Sequence, residues 1–115
     1  MALVTGTPDP RHDRPGANLD DAGLDDAIAT LARRSHERNR VRAHRVTELL
    51  AAANGSLDAA AREEAVRLCH TMAGSAATFG ELRLSEAAGR LEAALDAGRE
   101  ADVRDALGAL RAATA

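Results

Sequence analysis

The stretch CHTMAGSAATFG, residues 69–80, decides the fold and contains the candidate site. Its apolar side chains recur at three- and four-residue steps, the spacing of one helix face: Cys69, Met72 or Ala73, and Ala76. Gly74 lies inside this predicted helix, where glycine costs about 1 kcal/mol relative to alanine. It follows His70 by four residues and therefore shares its face. We expect an open recess beside the imidazole that suits a docking partner.

The sequence on either side of this stretch predicts further helices and no strand. Their apolar stripes are Leu24, Ile28 and Leu31; Val46, Leu49, Leu50 and Ala53; Leu84, Ala88, Leu91 and Leu95; and Val103, Ala106, Leu107 and Leu110. The first two helices could run nearly continuously. The third, which contains His70, is capped by Ser56 or Asp58 and stops near Gly80, and the fourth ends at Gly98. Short connections make sequential helices antiparallel, so the sequence predicts an all-α, antiparallel up-and-down four-helix bundle with an additional N-terminal helix.

The composition fits one small helical domain that follows a tail. The chain has 115 residues, 45% of them hydrophobic, and Phe79 is its one aromatic residue, so small aliphatic side chains must build the core. Residues 1–18 hold all three prolines and show no periodicity, which predicts a disordered tail before a helical domain of residues 19–115. With one cysteine, no apolar run of membrane length and no secretory pattern, the sequence favours the cytoplasm.

The face of the predicted third helix combines an exposed ring with small neighbours. His70 lies about 100° around the helix from Cys69, so we expect at least half of its side chain to be exposed. The residues beside and beyond the ring are small: Gly74, Ser75, Ala77 and Thr78. The plain alternative is an ordinary solvated histidine. A flat surface next to an exposed ring instead favours a docking site for a partner.

The motif around His70 continues in register into the next helix. Its parts are the run HTMAGSAATFG, then Leu84, Ala88 and the pair Leu91-Glu92. On these residues the chain resembles the histidine-containing phosphotransfer (HPt) domain over about residues 36–110, and the TFG segment is similar to the phosphoacceptor domains of chemotaxis histidine kinases. The resemblance implies a four-helix bundle whose exposed His70 accepts a phosphoryl group from a response-regulator aspartate or a kinase and passes it on.

The resemblance also implies that the partner supplies most of the chemistry. A neutral imidazole is a competent nucleophile near pH 7, so the domain would act as a phosphoryl carrier and not as an enzyme. The receiver domain's aspartate, Mg²⁺ and lysine are expected to stabilise the transition state, and the chain itself needs no cofactor. The direction of phosphate flow and the phosphorylated ring nitrogen stay open.

The resemblance suggests roles for the residues around the ring. Glu92 would accept a hydrogen bond from the second ring nitrogen and fix the tautomer; the alternative is a solvated helix carboxylate. The family commonly has a lysine three residues after the histidine, where this chain has Ala73. Arg67, one turn before His70, could replace that cation. The expected docking surface comprises Gly74, Ala73, Ala77, Ser75, Thr78 and Arg45.

Other interpretations compete with phosphotransfer. A degenerate HPt fold could bind receiver domains as an adaptor without carrying phosphate, and Ala73 favours this alternative. The block ARRSHERNRVRAHR, residues 32–45, holds six arginines and one acid, and could steer an acidic partner or bind nucleic acid. A solvated helix face is the plainer interpretation, because the net charge is −3 and aromatic stacking residues are lacking. The histidines and the cysteine lack metal-ligand spacing, no membrane contact is expected, and we expect a monomer.

Overall fold

The structure, a computed structural model, describes residues 15–53 and 56–115 of the chain, and side chains from residue 21 onward. The described residues form four helices and no strand: α1 Pro15–Ala52, α2 Ala59–Thr78, α3 Leu82–Ala97 and α4 Glu100–Thr114. This confirms the all-α class. The predicted tail lies outside the described residues up to residue 14. The helix begins at Pro15, four residues before the predicted start.

The predicted first and second helices form one helix, α1, of 38 residues. The described residues therefore contain no separate additional N-terminal helix, and the expected five helices are four. The reason is local: residues 32–45 between the two apolar stripes include neither glycine nor proline, and arginine is a good helix former. Pro15 suits the first helical position, because its missing N–H would have no partner there.

By its contacts the chain divides at Arg33 into two units, and residues 34–115 form the larger compact one. In the smaller unit, the predicted apolar stripe stays about half exposed: Leu24, Ile28 and Leu31 are 59%, 48% and 49% accessible. In the larger unit the other predicted stripes meet. Its buried apolar residues are Ala43, Val46, Ala65, Cys69, Met72, Ala76, Leu84, Ala87, Ala88, Leu91, Leu95, Ala106 and Leu110. Alanine supplies much of this core, so the helices can approach closely.

The C-terminus of α2 is closed by a Schellman motif. Gly80 adopts the left-handed conformation, with φ +75°, which glycine reaches without steric cost. The N–H of Glu81 donates to the carbonyl of Ala76 at 2.8 Å, and the N–H of Gly80 donates to that of Ala77 at 3.2 Å. The predicted stop at Gly80 is confirmed. This turn places the start of α3 directly after the helix that contains His70.

The other helix ends also follow the sequence signals. Gly98, with φ +68°, closes α3 by the same pattern of hydrogen bonds. Of the two predicted caps of α2, Asp58 is used: its carboxylate accepts from the N–H of Ala61 at 2.8 Å. Among the described residues no helix is long and apolar enough to cross a membrane.

Polar contacts join α1 to α2, and the contacting residues follow one another in opposite order along the two helices. Residue numbers fall along α1 as they rise along α2 in the pairs Arg45–Glu64 and Asn39–Ser75. His36 continues this order, because it contacts Glu81 in the turn that follows α2. Asn39 is fully buried and is held by Ser75 and Arg42. The Ser35 hydroxyl, also buried, has no hydrogen-bond partner among the described residues. The contact of α1 with α2 is therefore partly polar, which the apolar stripes alone do not predict.

Candidate functional site

His70 lies in the middle of α2 on its outer face. Its side chain is 78% exposed, whereas the preceding Cys69 is fully buried, so the predicted orientation of this helix is confirmed. The two residues differ in exposure because neighbours on a helix are about 100° apart around its axis. Met72 and Ala76 lie on the same buried side as Cys69. The ring is thus offered to solvent by a helix whose other face anchors it in the core.

The imidazole contacts the neighbouring helix through one nitrogen. The Nδ1 atom of His70 lies 3.2 Å from Oε2 of Glu92 on α3. Because a carboxylate can only accept, this contact favours the tautomer in which Nδ1 carries the proton and Nε2 has the lone pair. Glu92 is 26% exposed, so its position is partly fixed by the surrounding helices. In that tautomer Nε2 is the ring nitrogen with a free lone pair.

A shallow depression of about 410 Å³ adjoins the ring. Besides His70, its charged lining residues are two arginines and three acids: Arg62, Arg67, Glu63, Glu92 and Asp96. Arg67 is exposed and lies one turn before the histidine, as predicted, so it shares this space with the imidazole. Ala73 is half-buried and packs against the core, and its carbonyl accepts a hydrogen bond from Ser85 at 2.9 Å. The cations next to the ring therefore precede His70 on α2 and lie toward the N-terminus of this helix.

Gly74 is exposed, and a Cβ atom built there would meet no heavy atom within 4 Å. Internal packing therefore does not require a glycine. The same holds for Gly89 and Gly108 inside α3 and α4, so a helical glycine by itself does not mark a site. Gly74 differs in its position, one turn from an exposed imidazole.

The expected docking residues do not all lie on one face. Ala77 and Thr78 are exposed on α2, and the Thr78 hydroxyl donates to the Gly74 carbonyl at 3.0 Å, where it satisfies a backbone acceptor. Ser75 instead faces α1, where its hydroxyl is hydrogen-bonded to Asn39 at 2.9 and 3.1 Å. While those bonds last, the Ser75 hydroxyl is not available to a partner.

Arg45, the remaining expected docking residue, forms an ion pair with α2. Its guanidinium donates to both carboxylate oxygens of Glu64, at 2.8 and 3.1 Å. The hydrogen bond raises the pKa of Arg45 and lowers the pKa of Glu64. Glu64 precedes His70 by six residues, so this pair joins α1 to the part of α2 before the ring. In the structure Arg45 thus takes part in a contact between α1 and α2.

The described residues around the ring include neither an ionised thiol nor a metal cluster. Burial raises the pKa of the Cys69 thiol to about 12, and the charge of Glu92 adds to this shift, so the thiol stays protonated at neutral pH. No group of three or more His, Cys, Asp or Glu side chains in the described part of the chain could hold a metal ion.

Two features near the site went unrecognised in the sequence. The buried Asn39 interrupts the apolar stripe of α1 at a core-facing position, and a polar residue there is the signal that could have been used. The second feature is Arg62, which lines the His70 depression although it lies eight residues earlier. Its spacing of slightly more than two turns from the histidine was a detectable signal.

Comparison with protein families matches residues 43–115 to the Hpt domain. The matched region covers more than half of the chain and includes His70, Gly74 and Glu92. The chain therefore belongs to the Hpt domain family. Comparisons with curated proteins and with solved structures give no match.

Proposed function

We propose that this protein is a phosphorelay intermediate in which His70 carries the phosphoryl group on Nε2. The observation that carries the proposal is the exposed imidazole whose Nδ1 contacts Glu92 while Nε2 is left as the acceptor nitrogen. The partners would be a response-regulator receiver domain, a sensor histidine kinase, or both, in the cytoplasm. The opposite order of the polar contacts along α1 and α2 supports an antiparallel up-and-down bundle as the scaffold.

In the proposed transfer from a receiver domain, the lone pair of Nε2 attacks the phosphorus of an aspartyl phosphate. The N–P bond forms as the P–O bond breaks, and the aspartate leaves as a carboxylate. The ring keeps its proton on Nδ1 and gains a positive charge, which the Glu92 carboxylate offsets. The reverse sequence returns the phosphoryl group to an aspartate. Mg²⁺ and lysine of the receiver would neutralise the phosphoryl oxygens.

The cations of the chain itself would act on the other side of the phosphoryl group. Arg67 shares the depression with His70, and a guanidinium suits phosphate oxygens. It would take the place of the lysine that is expected where the chain has Ala73. Gly74, Ala77 and Thr78 would provide the flat surface for the receiver, because none of them carries a long side chain.

The proposal is tested by incubation with a phosphorylated receiver domain, or with a kinase and ATP. We expect an acid-labile phosphoprotein in the wild type and in His36→Gln, and no label in His70→Gln. His36 is a suitable control because it also contacts a glutamate, Glu81, elsewhere in the bundle. Label that persists in His70→Gln, with folding checked by circular dichroism, would contradict the assignment.

The second candidate is an adaptor that binds receiver domains without carrying phosphate. Ala73, in the position of the expected lysine, is the observation that favours it. Receiver binding that is unaffected by His70→Ala, together with no phosphorylation of the wild type, would support the adaptor.

A further inference from the structure

A second cavity, independent of the His70 face, lies where the end of α1 meets the start of α2 and helices α3 and α4. This end cleft has a volume of about 580 Å³, within the range of small-molecule sites. Its larger apolar lining residues are Leu50, Leu57, Leu95, Val103 and Leu107. Leu95 is buried and the other four are half-buried, so the cleft offers aliphatic surface that the fold does not fully cover.

Charge around the end cleft is strongly one-sided. Three exposed arginines line it, Arg62, Arg104 and Arg111, against the single acid Glu100. None of the three arginines forms an ion pair with an acid in the described part of the chain. Guanidinium groups around aliphatic surface complement a ligand with an apolar body and an anionic head.

The lining of the end cleft matches a slender amphipathic ligand. An aliphatic chain can lie against the leucines while an anionic group at its end reaches the arginines. We propose that the end cleft binds a fatty carboxylate, with its chain against the leucines and its head at the arginines. The end cleft shares only Arg62 with the lining of the His70 depression, so the proposal does not depend on phosphotransfer.

The first test is a titration of the ¹⁵N-labelled full chain with sodium decanoate below its micelle concentration. We expect saturable shifts of the amide resonances of residues such as Val103 and Leu107. From octanoate to dodecanoate the affinity should rise up to about fourfold per methylene, the effect of burying each group, and then level off when the cleft is full. 1-Decanol should bind about tenfold more weakly, because it lacks the charge.

Variants on the cleft rim separate binding from folding. Arg104→Glu should weaken decanoate binding at least tenfold, whereas Arg90→Glu, the same charge change on an exposed arginine of α3 outside the cleft, should not. Val103→Trp, which fills the cleft, should also abolish saturation, provided that circular dichroism shows a folded chain. The proposal is overturned by binding that does not saturate, by equal affinity for decanol, or by equal effects of the two arginine variants.

Discussion

Two histidines of this bundle each contact a glutamate, yet their surroundings differ. His70 lies 3.2 Å from Glu92 and its side chain is 78% exposed, whereas His36 lies 2.7 Å from Glu81 and is 36% exposed. The closer pair is the less accessible one. A histidine–glutamate contact therefore does not by itself identify a phosphoacceptor.

The neighbours of the two rings explain the difference. His36 lies on α1 beside the buried Ser35, and its glutamate belongs to the turn between α2 and α3. His70 lies on an outer face whose next turns present Gly74 and Ala77 to solvent. The first pair joins elements of the bundle, and the second leaves a ring with room for another protein. The proposed function depends on that room as much as on the ring.

The largest effect should come from filling the space beside His70. Gly74→Arg should weaken receiver binding by about 30-fold or more, the loss expected at a central interface position. The bundle should still fold, because a Cβ at this position meets no heavy atom within 4 Å. Gly108→Arg is the matched control, since it is also exposed, helical and unobstructed. Calorimetric titration with the receiver measures both; equal losses would contradict a docking role for Gly74.

The second prediction distinguishes the roles of Glu92 and Glu81. Glu92→Gln should slow phosphotransfer about tenfold with little change in receiver affinity, because a charge-assisted hydrogen bond to the ring is weakened. Glu81→Gln should leave the transfer rate unchanged and lower the free energy of unfolding by about 1 kcal/mol. Rapid-quench kinetics and urea titrations give the two quantities. If Glu81→Gln slows transfer as much as Glu92→Gln, the comparison of the two pairs fails.

A smaller effect is expected from the cation beside the ring. Arg67→Ala should lower the transfer rate a few-fold, since an exposed charge contributes about 0.2–1 kcal/mol. Arg67→Lys should restore most of the rate if charge is what matters. Arg83→Ala, an exposed arginine on α3 outside the depression, serves as the control. A rate that is the same in Arg67→Ala and wild type would remove Arg67 from the proposal.

The smallest effect concerns the pair of Arg45 and Glu64. Because Arg45 lowers the pKa of Glu64 in the folded state, the pair contributes stability that is fully present above the unfolded pKa, about 4.3. That contribution is lost as the pH falls through the lowered folded pKa. Arg45→Met should therefore reduce stability slightly at pH 7 and not at pH 2, as followed by urea unfolding. A loss of receiver affinity in the same variant would support the docking role that was predicted for Arg45.

Helix ends and the buried face of α2 were predictable because they depend on short-range rules. Gly80 and Gly98 end their helices where the sequence places a residue free to adopt positive φ, and Asp58 begins α2 with a side-chain acceptor. The exposure of His70 follows from its angular step from Cys69. These features need no knowledge of the other helices.

Contacts between helices were predicted less well, because spacing along one helix does not reveal which residues of another helix lie opposite. Ser75 was expected at a docking surface and is bonded to Asn39, 36 positions away. The separate N-terminal helix was not confirmed for a different reason: two apolar stripes were counted as two helices that could run nearly continuously, and no residue between them breaks the helix. The proximity of Glu92 to His70 was expected through the family resemblance, which carries information on tertiary contacts.

The buried thiol next to His70 offers a chemical probe of motion at the site. Cys69 is the only cysteine, its thiol pKa is about 12, and alkylating reagents react with the thiolate. Labelling at neutral pH therefore requires that α2 open away from its neighbours. The labelling rate therefore measures how often the helix that contains His70 opens. A bound receiver domain that stabilises this helix would lower the labelling rate.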